Sequence, residues 1–299
     1  MVRVLIYFLL LTSAYAGIET SVPAGRPDFK FLKLAIAPGQ VAVSGGGIAL
    51  PASAGDLIGI PQAMALNRDF RLGISHAELA EQTGASLGGA YLVLPGAGLS
   101  YSLVTRYLDY DDLQGYDEDG FSSGDFAAYA YTLEAGVSGV LGSLEWGLQG
   151  GYARYDIETE SSHAGFGNAG VSLNLPHNLR VAWVLSNLGY GTPFVNRPVI
   201  LPLTLQTGIA HHLKIGNRFA WNSFMDFRRR NDESGVYIPG AEVVYAKILS
   251  LRSGYALGEK RPVVTGGFGV NLSPLRIAYA YRGHEALAGA HFLSFETLF

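Results

Sequence analysis

The sequence predicts a transmembrane antiparallel β-barrel, and three observations carry that reading. Charged residues are only 15% of the chain and mean hydropathy is +0.20, apolar for a protein in water. Beyond residue 16 there is no run of about 18 apolar residues to span a bilayer as a helix. The chain instead combines 39 Gly and 17 Tyr with repeated blocks of roughly ten residues that alternate apolar with polar or small. Backbone groups in hydrocarbon must all be paired within the protein, so a closed barrel is the spanning structure left.

The elements follow in chain order. Arg3, the apolar stretch 4–11 ("VLIYFLLL") and Ala14-Tyr15-Ala16 form a signal-peptide pattern over residues 1–16. A barrel with such a leader belongs in the outer membrane of a Gram-negative-type cell. Residues 17–30 are a polar, Pro-containing linker. Residues 31–66 are too apolar for a free tail and are read as a plug, folded into the barrel or against its mouth, with a short helix over 53–66. The competing reading turns 31–36 and 41–50 into two further strands, sixteen in all. Residues 67–299 form the barrel.

Fourteen strands are expected, near 70–79, 85–94, 98–109, 126–140, 143–157, 162–174, 178–189, 202–213, 217–229, 235–247, 249–258, 263–272, 275–283 and 289–299. Their faces are readable. In "LRIAYAYR", Leu275, Ile277, Tyr279 and Tyr281 share one face, and Arg276 and Arg282 the other. Arginines do not face hydrocarbon, so their side is the lumen. By the same parity Arg106, Glu134, Glu145, Asp226, Arg228, Glu242, Arg252, Arg276 and Glu296 point inward, and their mixed signs favour pairing over ion selectivity. Links after even strands are tight; those after odd strands are equal or longer, with long ones at 109–125 and 190–201. That asymmetry is the outer-membrane pattern and places both termini on the periplasmic side.

Other chemistry is excluded or weakly signalled. The chain has no Cys, which removes disulfides, thiolate metal sites and Cys-linked lipid. A net charge of −4 without a basic stripe argues against nucleic acid. His211 and His212 are neighbours on a strand and diverge, as do Ser75 and His76 beside Glu78, so neither a metal site nor an enzyme is expected. No cofactor is implied. The acidic stretch 109–125, including Asp111, Asp112, Asp117, Glu118 and Asp119, reads as a solvated loop, with calcium or a partner as alternatives; it lacks EF-hand spacing. Arg228-Arg229-Arg230 ends a strand at the outer rim, where snorkelling or lipopolysaccharide phosphate contact competes. The chain closes on "FLSFETLF". Phe295 and Phe299 are read as an outward aromatic edge and as the signal to the barrel assembly machinery.

"FLKLAIAPGQVAVSGGGIALPASAGDLIGIPQAMAL" resembles the opening of the PorV/PorQ family of outer-membrane proteins. Phe31-Leu32-Lys33-Leu34 matches its start, Ser44-Gly45-Gly46 its Gly turn and Pro61 the Pro of its Asn-Pro-Ala-Gly box. "RYLDYDDLQGYDEDGFSSGDFAAYAY" and "LSNLGYGTPF…LPLTLQTGIAHHL" resemble later family stretches. The box itself reads Ile60-Pro61-Gln62-Ala63, so its Asn and Gly are replaced. The resemblance implies a FadL-like fourteen-strand barrel with an N-terminal plug. It also implies a non-enzymatic part in type IX-like secretion and cell-surface attachment, with other secretion components as partners. The alternative is FadL-type transport of hydrophobic small molecules, with Phe31, Leu32, Leu34, Ile36, Ile58 and Ile60 lining the path. Outer-membrane lipid is a partner in either case.

Overall fold

The computed structural model describes residues 28–50, 59–79, 84–117, 119–194, 197–259, 264–283 and 289–299. The signal-peptide pattern, most of the linker, Ile58 and Glu118 lie outside these residues.

Fourteen strands run in sequence: β1 (Arg71–Glu78), β2 (Ser86–Pro95), β3 (Leu99–Tyr116), β4 (Ser122–Leu141), β5 (Leu144–Ile157), β6 (Glu160–Leu175) and β7 (Leu179–Gly191), then β8 (Thr204–Ile215), β9 (Phe219–Arg230), β10 (Val236–Tyr245), β11 (Leu249–Tyr255), β12 (Val264–Leu272), β13 (Leu275–Arg282) and β14 (Ala290–Leu298). Each pairs antiparallel with its neighbours, and β1 pairs with β14, so the sheet closes into one barrel. Closure removes both edges, the hazard of any open sheet. Phe299 adds one bond past the seam: its N–H donates to the carbonyl of Phe70 at 3.0 Å. Their rings meet edge to face, centroids 5.6 Å apart.

Period-2 alternation sets the two faces. Tyr101, Leu103, Tyr107, Leu133, Leu148, Trp221, Met225, Phe268, Tyr281 and Phe295 are exposed on the outside. Arg106, Glu134, Glu145, Asp226, Glu242 and Glu296 are buried on the inside. Such a surface is stable only against hydrocarbon. At the rim called here the turn rim, strands are joined by two or three residues (96–98, 142–143, 176–178, 216–218, 246–248, 273–274). Longer links, such as 192–203, lie at the opposite, loop rim.

Two expectations change. The stretch 109–125 is chiefly strand rather than loop: β3 and β4 stay paired to Tyr116↔Ser122, past a bulge between Asp109 and Asp112. The flanking strands stop earlier, at Ser86↔Asp109 and Ala128↔Ile157. The hairpin therefore projects by about six residues, or roughly 20 Å. Cross-strand pairing outweighs the turn preference of its acidic residues. No α-helix covers 53–66 among the described residues; Pro61–Met64 forms a single 3-10 turn.

Residues 28–50 and 59–67 run inside the barrel, with no strand among them. They make a 3-10 turn at Lys30–Lys33 and one α-helical turn at Pro38–Val41. Their apolar side chains form the core together with the inward face of the wall. One cluster joins Phe29, Phe31, Leu32, Ile36 and Met64 to Leu87, Val104, Phe166 and Leu201. A second joins Val43, Ile48 and Ile60 to Val184, Phe224 and Ile238. Each such side chain is worth about 1.5–3 kcal/mol when buried, so packing is the main force holding the segment. Wall glycines make the close approach possible. A Cβ on Gly254 would fall 2.5 Å from the Val43 carbonyl carbon, and one on Gly147 2.3 Å from that of Pro61.

Candidate functional site: the lumen and its two mouths

At the loop rim, Asp28 and Ile200 exchange hydrogen bonds of 3.0 and 3.1 Å. Beside them Phe29, with φ 53°, lies 6.3 Å from Tyr155, and Tyr155 lies 6.0 Å from Phe194. Phe31 continues this aromatic surface inward, 6.1 Å from Phe29. Lys33 is clamped by Asp232 at 2.6 Å and Glu233 at 2.8 Å, both in the β9–β10 link. Arg230 also reaches Glu233, at 2.8 Å. Burial alone would raise the Glu233 pKa; Arg230 and Lys33 reverse this and hold it at about 2. The two ends of the barrel, Arg71 and Leu298, share the turn rim, whereas Asp28 sits at the other rim. The two barrel ends thus lie on one rim, and the inner segment begins, at Asp28, on the opposite one.

In the middle of the lumen the inward charges are held in pairs or networks. Arg106 bonds Glu134, and Arg180 bonds Glu145. Arg228 meets Glu259 at 2.5 Å, and Arg252 meets Glu242 at 2.7 Å. Asp226 accepts from Gln206 Nε2 at 2.7 Å and from the Ile48 N–H at 3.2 Å. A buried ion pair is weak evidence for stability, because desolvating both charges offsets their attraction. Several of these groups grip the inner segment directly. Arg180 donates to the Leu50 carbonyl at 2.8 Å, Gln206 to that of Gly45 at 2.9 Å, Arg228 to that of Ser44 at 3.3 Å, and Thr265 to that of Ala42 at 2.9 Å.

Of the expected lining residues, Phe31, Leu32, Ile36 and Ile60 are buried and Leu34 half-buried, all packed into the two clusters. In the projecting hairpin, Asp111 lies on strand and the side chain of Asp112 is outside the described set. Asp117 closes the turn, its Oδ1 accepting the N–H groups of Asp119 at 3.0 Å and Phe121 at 2.8 Å. Among the described residues no cluster of three metal-type ligands occurs. Arg180, Gln206, Lys33 and the Asp232-Glu233 pair were missed from the sequence. Parity alone places Arg180 inward, between outward Leu179 and Val181.

Among the described residues, two cavities beside the inner segment are small. The cavities beside the inner segment measure about 80 Å³ at the turn rim and about 20 Å³ near Gly46 and Ile60. Sites for organic ligands usually need about 300 Å³ or more. A larger hollow of about 540 Å³ lies on the outer wall, floored by Gly150, Gly167 and Ala169 and flanked by Leu148 and Leu188, where the β6–β7 register shifts.

No protein-family model and no curated protein matches the sequence. The likeness appears in three dimensions. The Ralstonia pickettii toluene transporter TbuX superposes with a TM-score of 0.58 at 11% identity, over 88% of this chain and 98% of that one. The fold is FadL-like. The CymD monoaromatic hydrocarbon channel gives 0.59 at 14% identity, over 88% and 97% of the two chains. A Pseudomonas aeruginosa FadL homologue gives 0.54 at 9%, over 88% and 97%. At these identities it is the fold of an outer-membrane barrel that is shared. The motif-level resemblance to PorV/PorQ gains nothing from these superpositions.

Proposed function

We propose that this protein passes small hydrophobic molecules across the outer membrane, with residues 28–50 and 59–67 acting as a plug that must shift for each passage. The observation that carries this is a continuous apolar surface. It begins with Phe29, Tyr155 and Phe194 at the loop rim and continues inward through Phe31, Leu32, Ile36, Phe166 and Leu201. A charged pore would discourage apolar solutes; here many lumenal charges are paired, as in Arg106–Glu134, Arg180–Glu145 and Arg252–Glu242, beside that apolar surface. The similarity to TbuX, a toluene transporter, and CymD, a monoaromatic hydrocarbon channel, supports the same reading. The turn rim then faces the periplasm, residues 1–16 act as a cleaved leader, and Phe299 marks the chain for barrel assembly.

Expression of the full chain in a barrel-competent host tests this. Uptake of radiolabelled toluene above vector control supports it; uptake equal to control, with the protein folded in the outer membrane, overturns it. The secretion-and-attachment reading stands second. It is favoured by the projecting β3–β4 hairpin, which exposes Tyr116 and Phe121 beyond the wall. Recovery of secretion components in an outer-membrane pull-down would support it.

A further inference from the structure

The β3–β4 hairpin rises above its neighbours and leaves a sheet edge uncovered. β5 pairs with β4 only from Ala128↔Ile157, and the Glu158 N–H caps the Ala127 carbonyl at 3.0 Å. Beyond that bond Ser122–Phe126 has β3 on one side and, among the described residues, no strand on the other. The N–H and C=O of an extended residue point the same way and alternate along a strand. Ala127 turns its carbonyl to the β5 side, so Asp125 presents its own N–H and C=O there too. The other edge of the hairpin is less open. A Cβ on Gly84 would fall 2.9 Å from that of Asp111, so the β1–β2 link leans on β3.

The ribbon buries little. Ser122–Asp125 are exposed, and at the tip Tyr116 is 62% and Phe121 71% exposed. Two strands without a packed face are marginal in water, and a third strand is what such a ribbon lacks. An unpaired edge beside exposed aromatics is a surface to which an extended peptide adds. Charge selects the peptide. Residues 107–127 contain seven acidic residues and no Lys, Arg or His. A second copy of this chain would bring the same charge to the same edge, and like charges directly opposite are destabilising.

We infer that Ser122–Phe126 is a docking edge for a cationic, extended polypeptide segment, which joins the hairpin as a third strand. Its backbone bonds the N–H and C=O of Asp125, its Lys or Arg side chains meet the surrounding carboxylates, and an apolar side chain covers Phe121. The edge lies outside the lumen, so the inference stands apart from hydrophobic transport.

A short fluorescent peptide, lysine alternating with valine or threonine, is titrated by anisotropy against the full chain in phosphatidylcholine nanodiscs, with lipid-only nanodiscs as blank. It is expected to bind, and its glutamate counterpart not to. Asp125→Asn keeps the N–H and should weaken binding about threefold, the worth of one exposed charge. Asp125→Pro also removes the edge-facing N–H and should weaken it about tenfold or more. N-methylating only the lysines, or only the intervening residues, should give opposite results, because one set alone faces β4: one peptide loses binding and the other keeps it. Absence of binding by the lysine peptide, equal binding of the glutamate peptide, or equal effects of the two methylated sets overturns the inference. So does Asp125→Pro that binds as Asp125→Asn does. Should Asp125→Pro fail to fold, the methylated peptides decide alone. Self-association of the unaltered chain that Asp125→Pro abolishes would assign the edge to a second copy and overturn the cationic partner. Toluene uptake should be equal for the unaltered chain and Asp125→Pro, which keeps this result separate from the transport reading.

Discussion

Lys33 and Asp232 meet at 2.6 Å, joining the inner segment to the β9–β10 link across 199 positions of sequence. The Asp232 side chain is 1% exposed and that of Lys33 13%. Removing one partner leaves a buried charge, so Lys33→Ala is expected to destabilise the loop-rim end of the segment by about 3 kcal/mol. Hydrogen exchange of residues 28–36 measures this: faster exchange there, with the barrel strands unchanged, is the predicted result.

The same latch has a defined pH response. Glu233 is held at about 2 in the folded protein, below its ordinary 4.5. A depressed carboxylate contributes its stability above the unfolded value and loses it as pH falls through the folded one. Exchange of residues 28–36 should therefore be constant, after correction for intrinsic rates, from pH 8 to about 5. Protection due to Glu233 should fade between about 4.5 and 2. A transition near pH 6 would contradict the assignment.

Glycine at the plug–wall contact is a steric requirement. Gly254→Ala places a methyl 2.5 Å from the Val43 backbone, whereas Gly150→Ala on the lipid face meets nothing within 4 Å. The first should cost about 1–3 kcal/mol of unfolding free energy and the second should be near neutral. Denaturation in detergent, followed by gel mobility, compares the two.

Deleting Phe299 removes the bond to the Phe70 carbonyl and the edge-to-face ring contact at the seam. Outer-membrane levels of the truncated chain should fall well below those of the full chain. Equal levels, measured by fractionation and immunoblot, would show that this residue is dispensable for assembly.

How much of this was legible depended on range. The strands were, because alternation is local: Arg276 and Arg282 could face only the lumen once Tyr279 and Tyr281 faced out. The tip of β3–β4 was not. Asp109, Asp111 and Asp117 carry turn propensity, yet a bulge at Asp109–Asp112 absorbs the irregularity and the ladder continues. The helix expected over 53–66 reduces to one 3-10 turn at Pro61–Met64 in the described part, where Pro61 packs on Gly147. That is a tertiary contact no local pattern encodes. Lys33 was visible only as part of a family-like motif, because its partners sit in "NDES", a loop with no periodicity. The lumenal charges were identified by parity, but which of them pair, and which of them grip the plug, depended on strand register.

The proposed passage of apolar solutes runs through a lumen gated by residues 28–50 and 59–67. Flux into proteoliposomes tests it most directly, comparing toluene with glucose for the unaltered chain and for Lys33→Ala. The account predicts toluene flux above protein-free liposomes, further raised by Lys33→Ala, with glucose flux low in the unaltered chain. Toluene flux at the protein-free level in both proteins, or glucose flux equal to that of toluene, would contradict it.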